Sequence, residues 1–158
     1  MKLSFIFKIL PQKIAYAHCD IPCGIYDPHE AQLAAHTIIR MTQMLDEIKG
    51  SDKKAIHDIS RMVHVKEEHG HIVEDELGTL GNDYFKEEHY SKFSNLKALL
   101  GKGVSLSVKT RQSIDLDLGK ELLETVMQIA EIFYKTKGLE SARVKAPYPT
   151  GLDIVVQK

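Results

Sequence analysis

The sequence predicts an all-α protein, an antiparallel four-helix bundle. Three observations carry this. Apolar residues recur at three- and four-residue steps in four separate stretches. Most of those stretches open on an Asp or close on a Gly, the usual start and stop signals of a helix. Tryptophan is absent and only five prolines occur in 158 residues, so few positions break a helix.

The first helix is expected from Asp27 as N-cap, with Pro28 at the first helical position and Glu30 completing a capping box. Ala31, Ala34, Ile38, Met41, Leu45 and Ile48 then form one apolar face, and Gly50 closes it. The second helix starts about Asp52. Its face runs through Ala55, Ile59, Met62 or Val63, Val73 and Leu77, and it stops near Gly78.

Gly81 to Lys86 reads as a turn and loop. A third helix spans about Ser94 to Gln112 through Leu96, Leu99, Leu100, Val104 and Val108, although Gly101 and Gly103 each cost about 1 kcal/mol relative to Ala. The fourth follows Asp115 as N-cap, with Leu118, Leu122, Val126, Ile129, Ala130 and Phe133 buried. Lys135, Lys137 and Gly138 end it. Four helices with short connections close around an apolar seam.

Composition bounds the function. The hydrophobic share is 43% and the charged share 27%, ordinary for one soluble globular domain. A net charge of −1 with no basic stripe gives no footprint for nucleic acid. No stretch approaches the ~20 apolar residues of a membrane span.

Residues 1–17 read as a cleaved leader. Ala15-Tyr16-Ala17 fits the small-residue site of a secretory signal. Against export, the apolar run Leu3 to Phe7 ends at Lys8, and Pro11, Gln12 and Lys13 stand where it should continue. A cytoplasmic protein is the expectation.

Both cysteines fall in the next segment, His18-Cys19-Asp20-Ile21-Pro22-Cys23-Gly24-Ile25-Tyr26-Asp27-Pro28. They sit in a polar, turn-rich stretch off any helical stripe, which favours metal ligation over the buried apolar role common for free cysteine. A Cys19–Cys23 disulfide is the alternative in an oxidising compartment. It leaves the surrounding residues unexplained.

The segment resembles the nickel hook of the nickel-containing superoxide dismutases: a His-Cys pair, a second Cys four residues on, a Pro before it and Gly-x-Tyr-Asp-Pro after it. Asp83-Tyr84-Phe85-Lys86 is a second stretch similar to that family, which carries it between helices two and three. The resemblance covers about residues 18–138. Residues 139–158 lie beyond it and read either as a tail packed on a neighbouring subunit or as a disordered end.

The resemblance implies one nickel ion per subunit, an antioxidant enzyme that disproportionates superoxide, and a homohexamer. Nickel with nitrogen and sulfur donors favours a square plane. Cys19 and Cys23 offer two thiolates. The nearby nitrogens are the α-amine of His18 and the backbone amide of Cys19. A free α-amine has a pKa of roughly 7.7–8.0 and yields its proton to a metal near neutrality. An amine in a peptide bond is a far poorer donor, so a protease must cut the Ala17–His18 bond. The His18 imidazole is then the axial ligand.

Around these ligands the family pattern gives Asp20 and Tyr26 the roles of shaping the hook and lining the approach, against the plainer readings of a turn former and a core-edge aromatic. A cis Ile21–Pro22 bond would help the turn. Tyr84 and Lys86 match positions near the hook, and Lys86 either draws superoxide or is a solvated surface lysine. Some relatives hold the axial imidazole with a glutamate and an arginine. The matching positions here are Ala34 and His69, so what orients His18 is open.

His64, Glu68 and His71 share one helical face, and Glu68-x-x-His71 has the spacing of di-iron bundles. A di-iron site needs a second Glu-x-x-His, and this chain has none, so a solvated polar face is the expectation. Two further functions compete with the enzyme: a helical module that sequesters nickel or copper, and a secreted helical protein with one disulfide.

Overall fold

The structure is a computed structural model that describes residues 23–158. Helix α1 spans His29–Glu47 and α2 Lys53–Thr79. After a short helix α3, Glu87–Lys92, come α4, Leu96–Arg111, and α5, Leu116–Thr136. In the ring of four long helices α1 packs on α2 and α5, and α4 packs on the same two. The four helices thus close as expected. Five and four residues connect the pairs α1–α2 and α4–α5, which forces antiparallel neighbours.

The caps explain the starts. Asp52 accepts the N–H of Ala55 at 2.8 Å, and Asp115 accepts those of Asp117 and Leu118 at 2.9 and 3.1 Å. At α1 the expectation was one residue early. Pro28 is the cap residue, the Asp27 carboxylate accepts from the N–H of His29 at 2.7 Å, and Glu30 makes no return bond among the described residues. At the far end of α5, Gly138 has φ +71° and the N–H of Leu139 reaches the carbonyl of Tyr134 at 2.9 Å, a left-handed stop that Gly adopts without strain.

Helix α5 is the bundle's most buried element, since it faces α1, α4 and a C-terminal hairpin. Leu122, Val126, Ile129 and Ala130 are fully enclosed. Each of the three larger ones contributes about 1.5–3 kcal/mol by leaving water. In α1 the buried face is broader than expected. Ala35, Ile39 and Thr42 join it, while Met41 and Ile48 stay half-buried.

Helix α2 differs along its length. Its first half buries no residue fully, and Val63 is exposed. Its second half packs Val73 and Leu77 into the core. Lys66 is buried too, its ammonium donating to the carbonyl of Ser113 in the α4–α5 connection. Burial pushes its pKa down.

Two local expectations are corrected. Leu80–Tyr84 is no loop but a π-helical turn continuing α2, and the N–H of Phe85 reaches back five residues to Leu80 at 2.8 Å. The segment behind it folds as α3, which apolar periodicity missed because none of its six residues is buried.

Residues beyond 138 fold back on their own chain. Strand β1, Ser141–Lys145, pairs antiparallel with β2, Asp153–Gln157, setting Val144 opposite Ile154. Buried Gln32 of α1 satisfies both polar atoms of Val155, at 3.1 and 2.7 Å. His36 spans the connection: its Nε2 donates to the carbonyl of Asp153 at 3.1 Å, so its Nδ1 accepts from the Thr150 hydroxyl at 2.7 Å. Arg143 joins β1 to Glu124 and Glu131 of α5.

Candidate metal centre and its aromatic rim

Of the residues singled out for the site, His18, Cys19 and Asp20 lie outside the described residues, as does the Ile21–Pro22 bond. Cys23, Tyr26, Tyr84 and Lys86 lie within them.

Cys23 opens the described chain where Gly24, at φ +73°, turns it. Its sulfur is half-buried and accepts the N–H of Ile25 at 3.4 Å. The same sulfur lies 4.0 Å from the carbonyl of Ile25, so the turn closes on both polar atoms of that residue.

Three residues on, Tyr26 packs its ring on Tyr84, with centroids 5.3 Å apart. The π-turn matters here. It carries Tyr84 round the end of α2 to the last turn of α5, where Phe133 lies 4.8 Å away. His89 of α3 stacks on Tyr84 at 5.6 Å with planes 13° apart, and the Lys137 ammonium sits 4.8 Å from the same ring. The phenol oxygen lies 2.6 Å from the Thr136 hydroxyl. Tyr26 and Tyr84 therefore meet at one end of the bundle, from segments about 60 residues apart in sequence, and Cys23 stands three residues before Tyr26.

Lys86 is exposed, and its ammonium donates to the carbonyl of Asp83 at 2.7 Å. Its own N–H donates to Nδ1 of His89 at 3.0 Å, which puts any single ring proton of that histidine on Nε2. Sequence reasoning missed His89, Thr136 and Lys137. The signal was present but faint: Lys137 reads from the sequence only as part of the fourth helix's stop, and Thr136 beside it carries no local signal.

Ala34 and His69 line one cavity of about 470 Å³ between α1, α2 and the Tyr148–Thr150 connection. Glu30, one helical turn before Ala34, lines it too. His69 bonds through Nδ1 to the carbonyl of Val65 at 2.8 Å, leaving Nε2 without a partner among the described residues.

The other histidines divide. His64 meets Glu68 at 3.4 Å, whereas His71 turns to Glu67, Glu74 and Arg111. The three do not converge, and no three His, Cys, Asp or Glu side chains form a metal-binding group among the described residues.

Fold and site together define a helical-bundle protein with a thiol-bearing turn three residues before an aromatic cluster at one end. The family model described as nickel-containing superoxide dismutase matches residues 13–137. The nickel superoxide dismutases of Streptomyces seoulensis and Streptomyces coelicolor are each 30% identical over 127 residues, covering 80% of this chain and 93% of theirs. A native nickel superoxide dismutase structure superposes with TM-score 0.69 at 29% identity, covering 76% of this chain and 99% of that one. One with nickel ligation of the oxidised state gives 0.71 at 29% identity, covering 77% and 99%. The chain belongs to the nickel-containing superoxide dismutase family. The family match ends before the β-hairpin, which begins at Ser141.

Proposed function

We propose that this protein disproportionates superoxide, turning two superoxide ions and two protons into dioxygen and hydrogen peroxide at a nickel centre on residues 18–23. Family membership supports the activity. The observation that carries the site is the Cys23 thiol, turned by Gly24, supplied with the N–H of Ile25 and set three residues before the Tyr26–Tyr84 contact.

Cys19 and Cys23 would hold the metal through sulfur. The His18 amine, the Cys19 amide and the His18 imidazole would hold it through nitrogen. Nickel bound there supplies one-electron exchange with superoxide. The protein's part is to make the donors and to guard them. Removal of residues 1–17 frees the His18 amine. Tyr26 and Tyr84 wall the approach so that a small anion reaches the thiolates while larger reductants and oxidants do not. Asp20 shapes the turn, and the ammonium groups of Lys86 and Lys137 add positive potential at that end.

His69 and Glu30 are this chain's candidates for orienting the His18 imidazole, since Ala34 cannot. A homohexamer, a dedicated leader-removing protease and a cytoplasmic location complete the reading. Among the described residues, no helix is long and apolar enough to cross a membrane.

The test is purification with nickel supplied. Mass spectrometry should find a chain that starts at His18 with one nickel, and that protein should consume superoxide catalytically. An intact leader on an active enzyme, or a cystine in place of two thiols, would overturn the reading.

A further inference from the structure

We infer that Thr136 is a positioning residue that fixes Tyr84 at the rim of the site; this rests on Tyr84 being part of that rim. The Thr136 hydroxyl lies 2.6 Å from the carbonyl of Phe133 and 2.6 Å from the phenol oxygen of Tyr84. A carbonyl only accepts, and a threonine hydroxyl has one proton, so that proton goes to Phe133. Thr136 then has only lone pairs to offer, and Tyr84 must donate. Proton placement in this chain of three oxygens follows from the acceptor at its end.

Two consequences follow. The Tyr84 phenol proton is committed within the protein, so the phenol is a wall of the approach and not the proton donor to peroxide. The bond also supplies direction that the other contacts lack. His89 stacked at 13°, Phe133 at 4.8 Å and the Lys137 ammonium at 4.8 Å hold the ring's plane. Stacking resists sliding only weakly, while a hydrogen bond weakens steeply with angle. Thr136 thereby ties the π-turn that ends α2 to the last turn of α5.

The experiment uses the full chain labelled with tyrosine carrying carbon-13 at Cζ, where the isotope splitting in mixed H2O and D2O reads phenol proton exchange. The Tyr84 signal is the one missing in Tyr84→Phe. Exchange at Tyr84 should be about three- to tenfold faster in Thr136→Val, the range one net hydrogen bond gives, and normal in Thr136→Ser. In nickel-loaded protein, kcat/KM for superoxide should fall about three- to tenfold in Tyr84→Phe and in Thr136→Val, with no further loss in the double variant, because both delete the same bond. Unchanged exchange in Thr136→Val would overturn the bond assignment. Losses that multiply in the double variant would overturn the positioning role. Full activity in Tyr84→Phe would overturn the underlying reading of the rim, whatever the exchange shows.

Discussion

Gly103 of α4 rests against Leu77 of α2 so closely that a methyl group on the glycine would lie 2.5 Å from the leucine's Cδ1. Both residues are buried. The glycine that weakens α4 as an isolated helix is what lets α4 approach α2.

Substituting that residue should therefore cost stability. Ala is the better helix former by about 1 kcal/mol, but overpacking a closed core costs typically about 1–3 kcal/mol. Gly103→Ala should lower the stability by roughly 1 kcal/mol, seen as a fall in Tm of about 2–4 °C. Gly101, two residues away, is exposed with no atom near its missing Cβ. Gly101→Ala should raise stability by up to about 1 kcal/mol. Thermal denaturation of the pair checks the contact, and the same sign for both would refute it.

His36 gives a pH dependence. It is 3% exposed, and burial pushes its pKa below the ordinary 6.5, partly offset by the carbonyl of Asp153. The folded protein holds it neutral while the unfolded chain takes up a proton below about pH 6.5, so the unfolded state binds more protons there. Stability should fall as pH drops below that value and be insensitive to this group above it. Denaturant unfolding at pH 5 and 7.5 should show a smaller difference in His36→Gln than in the parent, and an equal difference would sink the assignment.

Cys23→Ser should abolish nickel binding and dismutase activity while leaving the far-ultraviolet circular dichroism unchanged. The thiol lies in the turn before α1, outside the buried core. A loss of helical signal would reveal a structural role instead, and full activity would remove Cys23 from the site.

The leader is tested by a single residue. An Ala placed before His18 in an otherwise mature chain keeps both thiols, the imidazole and the bundle, but turns the donor amine into a peptide amide. Activity should drop to near background even with excess nickel. His18→Gln with a native start should keep nickel bound but turn over poorly, because only the imidazole is lost while the amine and both thiols remain. Native activity in the extended protein would show that the amine is no ligand.

The four long helices were legible because each declares itself locally: an Asp cap or a Gly stop, and a 3.6-residue apolar period. The family was legible for the same reason, because the stretches 18–28 and 83–86 that carry the resemblance are each contiguous in sequence. What the sequence by itself could not determine depends on contacts between distant segments. The hairpin at 141–157 was invisible because a two-stranded ribbon is only marginally stable alone, and this one is held by Gln32 and His36 of α1 and by Arg143 to α5. The π-turn at 80–84 looked like a loop because its backbone bonds leave no side-chain period. Thr136 carried no signal in the sequence, and its role appears only once the fold sets the Tyr84 hydroxyl 2.6 Å from it. Local signals name the elements, whereas the partner of a phenol or a glycine is chosen only when helices far apart in the chain are packed together.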